Sequence, residues 1–196
     1  NVAIGRSALG TASSDSNNTA IGYAALGTQN GAGTAYNVAV RHQAGTSVTT
    51  GVSNTILGGQ AGDALSTSSY NVAVGHLALT NEVASGGNVA VGYKSLNDSA
   101  GGANNTALGY QSGENITTGG ANTIIGSQAG DALTTGSNNT VIGRQAAASA
   151  IGVSNEITLG DTNITALRCQ VTSITALSDK RDKKDIKDST YGLDFV

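Results

Sequence analysis

A five-residue pattern of polar, small and aliphatic positions recurs along most of this chain. It runs Asn, then Thr or Val, then Ala or Ile, then a large aliphatic residue, then Gly, as in residues 122–126. From Gly58 onward each step is seventeen residues, and Arg41 takes the Gly position once, after a stretch two residues longer. The motif glycines are Gly5, Gly22, Gly58, Gly75, Gly92, Gly109, Gly126, Gly143 and Gly160. A fixed period in this range predicts a solenoid, in which each repeat is one coil packed on its neighbours.

The alternation of side chains along a strand predicts which positions face the interior of the coil. The fourth position is aliphatic in every copy, so we expect it inside: Ile4, Ile21, Val40, Leu57, Val74, Val91, Leu108, Ile125, Ile142 and Leu159. The third position is mostly Ala, and we expect it to form an outer face that meets other chains. The alternative is that Ala is merely tolerated outside. The predicted fold class is an all-β parallel β-solenoid of about ten 17-residue coils.

One interior position is filled from either of two places in each coil. Four residues after the motif Gly stands a Leu or a Gly, and the Gly copies carry an aliphatic residue three positions later. The Gly copies are Gly62 with Leu65, Gly113 with Ile116 and Gly130 with Leu133. The Leu copies are Leu9, Leu26, Leu79 and Leu96, followed by Ala12, Gln29, Glu82 and Ser99. Close packing explains the exchange, since an empty position leaves a cavity and a doubly filled one clashes.

The recurrent Asn at the start of the motif is predicted to lie directly above its copy in the next coil. Stacked amides of this kind form hydrogen-bonded ladders. The predicted structural ladder comprises Asn18, Asn54, Asn71, Asn88, Asn105, Asn122 and Asn139, with Asn37 in the same position of the longer coil. The rest of each repeat is turn material rich in Gly, Asn, Ser and Thr.

Composition supports repetition as the source of order. The chain has 196 residues with 28 Gly, no Pro, Met or Trp, and only 12% charged residues, whereas disordered chains are usually highly charged. A net charge of −3 argues against nucleic-acid binding, and no apolar run approaches the length of a membrane helix. The single Cys169 provides no disulfide framework. The chain starts in mid-motif without a Met, which suggests a fragment or a processed product.

The phrases at residues 18–23, 88–93 and 139–143 resemble the N-x-A-I-G repeats of trimeric autotransporter adhesin heads, which also occur in phage tail fibres. The resemblance covers about residues 1–160. It implies a left-handed β-roll assembled as a homotrimer, so the predicted partners are two further copies of the chain. The divisions predicted from the sequence are a solenoid shaft at 1–160, a strand-rich neck or trimerisation segment at 161–177, and a charged segment at 178–196.

The charged segment resembles the start of the self-cleaving intramolecular chaperone domain of phage tail spikes and endosialidases. The matching residues are Ser178, Asp179, Arg181, Lys183, Asp185, Ile186, Gly192, Leu193 and Phe195. The resemblance implies cleavage between Leu177 and Ser178, with Ser178 as nucleophile and Lys183 as its activating base. A Lys can serve as base where burial lowers its pKa. On composition alone, the segment is typical of a solvated, flexible tail.

Together these observations predict a structural part of a trimeric phage tail fibre or spike, extracellular on the virion tail. It would contact other tail proteins and carry host-receptor-binding parts, with a host surface glycan or protein as a further partner. The alternatives are the head of a bacterial surface adhesin and a polysaccharide-depolymerising tailspike. Apart from self-cleavage we expect no enzyme activity, cofactor, metal, nucleic acid or membrane insertion.

Other candidate chemistry in the sequence is sparse. Glu114 and Asp131 share a register and could pair as a glycosidase requires, although an acidic turn is the simpler interpretation. Tyrosines that follow the motif Gly could stack against sugars or cover the coil: Tyr23, Tyr93 and Tyr110. His42 and His76 are two coils apart and are interpreted as surface residues.

Overall fold

The computed structural model describes residues 1–168 except 13, 32 and 84. Within them ten three-residue strands form one parallel sheet in chain order. The strands are β1 Val2–Ile4, β2 Thr19–Ile21, β3 Val38–Val40, β4 Thr55–Leu57, β5 Val72–Val74, β6 Val89–Val91, β7 Thr106–Leu108, β8 Thr123–Ile125, β9 Thr140–Ile142 and β10 Ile157–Leu159. Every pair is in motif register, as in Ala73 opposite Ala90. The predicted parallel β-solenoid is therefore confirmed.

Internal contacts divide the chain into Asn1–Ile164 and Thr165–Val196. The first unit is the solenoid, in which each coil contributes one short strand and a longer series of turns. Of the predicted neck, residues 161–168 are described and contain no strand, while 169–177 lie outside the described residues.

The motif glycines permit the coils to stack closely at the end of each strand. Gly92 has a φ of 137°, and a Cβ added there would lie 2.2 Å from the carbonyl oxygen of Gly109 in the next coil. Such a φ and such a separation both exclude an ordinary side chain. The position is thus fixed as Gly by backbone geometry and by the neighbouring coil together.

The turns depend on left-handed backbone at three positions of most coils, and most of those residues are not glycine. In the coil after Gly75 they are Leu77 with φ 59°, Leu79 with φ 53° and Gly87 with φ 73°. Left-handed backbone costs roughly 1–2 kcal/mol for a residue with a Cβ. Hydrogen bonds between coils offset this cost, since the N–H of Leu77 donates to Gly59 and that of Leu79 to Ser95.

The predicted facing of the strands was wrong. The third position is inside, fully buried in the eight strands from β2 to β9, whereas the fourth position is exposed or half-buried. The buried third-position residues are Ala20, Ala39, Ile56, Ala73, Ala90, Ala107, Ile124 and Val141. The physical reason is that the coil is thin: the third position faces the opposite wall at short range, so a small residue belongs inside.

Ile occupies the third position only where the opposite wall is a glycine. A Cβ added at Gly130 would lie 3.0 Å from Cγ2 of Ile124, and one added at Gly62 would lie 3.3 Å from Cδ1 of Ile56. The same added atom at Gly62 would come within 2.6 Å of Leu65. In these two coils the interior volume predicted to be filled from two places is therefore shared by three positions.

We expect Gly113→Leu to destabilise the solenoid by about 1–3 kcal/mol through overpacking. A Cβ there would already lie 3.1 Å from Cδ1 of Ile116 and 3.2 Å from Cδ2 of Leu96. Ile116→Ser alone should cost about 2–5 kcal/mol through the cavity that it leaves. The double variant reproduces the Leu and Ser of the preceding coil, so chemical denaturation should show it less destabilised than the sum of the two. Additive losses would mean that the two positions do not share one volume.

Candidate functional site

A column of asparagine side chains, buried except at Asn1, connects the coils from one end of the sheet to the other. In each step the Oδ1 atom accepts the backbone N–H of the motif Asn in the next coil, at 2.8–3.0 Å. The Nδ2 atom of Asn105 also donates to the carbonyl of Gly119 at 2.8 Å. The members are Asn1, Asn18, Asn37, Asn54, Asn71, Asn88, Asn105, Asn122 and Asn139.

Glu156 stands in the Asn position of the last coil and ends the column. Its backbone N–H donates to Oδ1 of Asn139 at 2.9 Å. Its carboxylate accepts the backbone N–H and the hydroxyl of Ser149, together with the hydroxyl of Thr158. The Ser149 hydrogen bonds hold the pKa of this carboxyl below its usual range. The column therefore ends on a carboxylate that is satisfied within its own coil.

The outer side of the sheet is an uncharged surface of aliphatic and threonine side chains, which we name the sheet face. It consists of the second and fourth motif positions in β1–β10, and every one of these residues is Val, Thr, Ile or Leu. Several are well exposed, including Leu57 at 45% and Leu108 at 47%. With strands about 4.8 Å apart, nine spacings make this face about 43 Å long. Its fourth-position column is aliphatic from β1 to β10, yet it lies on the outside of a single chain.

Aromatic side chains stack in a second column, at the position directly after the motif Gly position, in five of the coils. The rings of Tyr23 and His42 lie 5.2 Å apart between centroids, with their planes 14° from parallel. In the other stack Tyr93 lies 5.7 Å from His76 and 5.3 Å from Tyr110. Cations join both stacks, since Arg6 lies 5.9 Å from the Tyr23 centroid and Lys94 lies 5.9 Å from that of Tyr93.

Gly59 interrupts this ring column between the two stacks. Because β3, β4 and β5 are adjacent, Gly59 occupies the level between His42 and His76. A notch of about 540 Å³ opens there, and the residues that line it are Arg41, Leu57, Gly58, Gly59, Val74, Gly75 and His76. The volume is in the range of small-molecule sites.

Arg41, at the border of the notch, is the one non-glycine in the motif Gly position. Its φ is 109°, a conformation that side chains rarely adopt and that typically costs about 1–3 kcal/mol. The residue is exposed and has no ion-pair partner among the described residues. Strain of this kind in a surface residue is frequently associated with a binding role.

The acidic residues considered as a glycosidase pair are each engaged by other groups. Glu114 forms an ion pair with Lys94 at 3.1 Å and accepts Nε2 of Gln111 at 2.5 Å. Asp131 accepts Nδ2 of Asn115 at 2.8 Å. The hydrogen bond from Lys94 to Glu114 raises the pKa of the Lys94 ammonium. This arrangement is that of solvated turns with local partners.

The predicted self-cleavage residues Ser178 and Lys183 lie outside the described residues, as does the whole segment 178–196. Among residues 1–168 with the exceptions given above, no group of three metal-binding side chains occurs. No helix of that region has the length and hydrophobicity to cross a bilayer.

Comparison with known proteins gave no match to a protein family, to a curated protein or to a solved structure. The class defined by the fold is that of a parallel β-solenoid repeat protein.

Asn105→Ala is expected to destabilise the chain by about 2–4 kcal/mol, because it leaves the buried N–H of Asn122 without an acceptor and removes two further hydrogen bonds. Asn81→Ala is the matched control, since Asn81 is exposed and makes one amide contact, at 3.3 Å to Asp98. Its effect should stay within about 0.5 kcal/mol. Equal losses in thermal or chemical unfolding would contradict a structural role for the column.

Proposed function

We propose that this chain is a structural shaft of a homotrimeric phage tail fibre or spike, located on the virion tail outside the host cell. The observation that carries the proposal is the uncharged sheet face. The shaft projects or carries host-receptor-binding parts and contacts other tail proteins. It has no cofactor and, apart from self-cleavage at its C-terminal segment, no enzymatic role.

Burial on both sides is the normal condition of parallel sheets, and here one chain covers only the inner side. Contiguous aliphatic surface of this extent marks an interaction site in soluble proteins. The sheet face has the same width at every coil, so it fits a partner with the same repeat. Further copies of this chain have that repeat, and their own sheet faces need the same cover.

The number of copies comes from the resemblance to trimeric adhesin heads and tail fibres, which also suggests a left-handed coil. Three copies placing their sheet faces toward a common axis would bury all three faces together. The resulting rod would be stiff because each coil is bonded to the next by backbone and asparagine hydrogen bonds. A stiff rod with the uncharged sheet faces at its centre is suited to a fibre segment that holds a binding tip away from the phage particle.

The head of a bacterial surface adhesin is the second candidate, because the repeats of such heads have a similar N-x-A-I-G sequence pattern. It would place the chain on a bacterial cell surface, and it should lack the Ser178-to-Lys183 block. A polysaccharide-depolymerising tailspike is less well supported, since Glu114 and Asp131 have other partners.

Association through the sheet face predicts that a charge on it will separate the copies. Leu108→Lys should convert a trimer into monomers at micromolar concentration, because like charges brought together cost several kcal/mol. Gln128→Lys is the control, since Lys94 already occupies the corresponding position of another coil. Analytical ultracentrifugation should give a trimer for the wild type and the control. A wild-type chain that is a stable, soluble monomer would refute the proposal.

The C-terminal resemblance predicts release of a fragment that begins at Ser178 from the full-length product. Ser178→Ala and Lys183→Ala should each abolish the release, whereas Ser173→Ala should not. Intact-mass spectrometry measures the fragment directly. Absence of cleavage in the wild type, with a trimer present, would leave the shaft but favour the adhesin-head interpretation.

A further inference from the structure

Asp15 places a charge at a corner of the coil where the repeat otherwise has uncharged residues. It stands ten residues after the motif Gly. Its backbone carbonyl accepts Nδ2 of Asn1 at 2.7 Å, the hydrogen bond that the motif Asn makes with this column in other coils. In the coils of regular length the same position holds Gly51, Ser68, Ser85, Gly102, Gly119, Gly136 and Val153. Asp15 is thus a departure from the repeat that the solenoid itself does not require.

The carboxylate of Asp15 is buried and has little hydrogen bonding. The residue is 8% exposed, and its Oδ2 atom has no partner in the described part of the chain. Its Oδ1 atom accepts Nε2 of Gln29 at 3.4 Å, which is long for a hydrogen bond to a charged acceptor. Neither ion pair found among the described residues includes Asp15. Burial of a carboxylate is costly unless a positive charge and oxygen-directed contacts compensate it.

The longer coil opens a pocket beside this carboxylate. In coils of regular length the corner is closed, since a Cβ added at Gly119 would lie 2.2 Å from the carbonyl oxygen of Gly136. A Cβ added at Gly33 would have nothing within 4 Å. Gly33 and Thr34 are exposed, so the pocket can be reached from solvent. It measures about 190 Å³ and is lined by Asp15, Gln29, Gly31, Gly33, Thr34, Ala35, Thr50 and Val52.

The lining has the chemistry of a site for a hard cation. Besides the carboxylate it offers the hydroxyls of Thr34 and Thr50 and several backbone carbonyls, and it contains no His, Cys, Lys or Arg. Oxygen ligands of this kind suit Ca²⁺, which accepts about six to eight of them, waters included, in a flexible geometry. Mg²⁺ is less suited because it demands near-ideal octahedral geometry. The volume leaves room for a cation together with several waters.

We propose that this pocket, which we name the Asp15 pocket, binds one Ca²⁺ ion per chain. Oδ2 of Asp15 is the charged ligand, and neutral oxygens of the longer coil and bound waters complete the coordination. The ion compensates the buried charge and holds the corner of the longer coil in place. The proposal departs from the expectation, drawn from the sequence, that the chain holds no metal.

The Asp15 pocket is separate from the surface on which the proposed function depends. None of its lining residues belongs to the sheet face, so association through that face does not require the pocket to be covered. The inference goes beyond the proposed function and does not rest on it.

Equilibrium dialysis of the full chain against ⁴⁵Ca²⁺ tests the proposal directly. Protein freed of metal with a chelator, at constant ionic strength, should bind about one ion per chain at Asp15. With a single carboxylate the dissociation constant should be on the order of 10⁻⁴ to 10⁻³ M. Mg²⁺ should compete several-fold less well. In thermal unfolding, a Ca²⁺ concentration ten times the dissociation constant should raise the midpoint by about 3–6 °C.

Asp15→Asn should abolish both the bound ion and the thermal shift, because it removes the charge and keeps the shape of the side chain. Without Ca²⁺ this variant should unfold at the same temperature as the wild type or higher, since an uncompensated buried charge is gone. Asp15→Ser is a second variant with the same expectation, as the repeat carries Ser68 and Ser85 at this position. Asp63→Asn is the matched control, because Asp63 is a half-buried carboxylate outside the pocket, and it should bind like the wild type.

Equal Ca²⁺ binding by the wild type and the Asp15 variants would overturn the proposal, since the ion would then bind elsewhere on the chain. No saturable binding below about 10 mM Ca²⁺ would also overturn it. So would Mg²⁺ or Na⁺ acting as well as Ca²⁺ at the same ionic strength.

The oligomeric state is measured separately on the same samples. A monomer that binds Ca²⁺ through Asp15 would remove the proposed trimer and keep this inference. A trimer without Ca²⁺ binding at Asp15 would do the reverse.

Discussion

The fold depends on one constraint: each residue lies one strand spacing away from the residue that has its position in the next coil. Backbone hydrogen bonds keep this register, and the asparagine column repeats it with side chains. A residue type is therefore selected by its column more than by its neighbours in the chain. Gly92 has no room for a Cβ because of Gly109, and Ala90 is opposite Ala107. Stability in such an array is close to a sum over adjacent coils.

Much of the fold could be predicted because the stacking of equivalent residues in adjacent coils produces the fixed period in the sequence. The spacing of the glycines gives the coil length, the parallel register and the position of each strand. The turns could not be predicted in the same way. Leu79 and Gln60 adopt left-handed backbone that their own preferences disfavour. Only the hydrogen bonds to adjacent coils, which appear once the coils are stacked, make those conformations favourable.

The facing of the strands was mispredicted because hydrophobicity was taken as the measure of burial. In a coil this thin, the available space decides which side of a strand is buried, and the larger aliphatic residue at the fourth position of the strand motif is placed outside. The sequence did carry a usable signal. Ile replaces Ala as the third residue of the motif at Ile56 and Ile124, in the coils where Gly62 and Gly130 replace Leu. Such compensation is expected only between residues that share one interior volume.

The ring column and its gap at Gly59 were harder to predict from the sequence, since they depend on residues that are two coils apart. The tyrosines after the motif Gly were visible, but the gap at Gly59 has meaning only when His42 and His76 are known to lie on either side.

The coil that precedes Arg41 is two residues longer than the others and shows where the solenoid tolerates insertions. Its two extra residues fall within the segment 30–36, yet Thr19 still pairs with Val38 and Ile21 with Val40. The corner before the motif Asn can therefore lengthen without shifting the strands. Loop insertions at that corner offer a route by which such a solenoid acquires new appendages, or by which foreign peptides could be grafted at regular intervals along it.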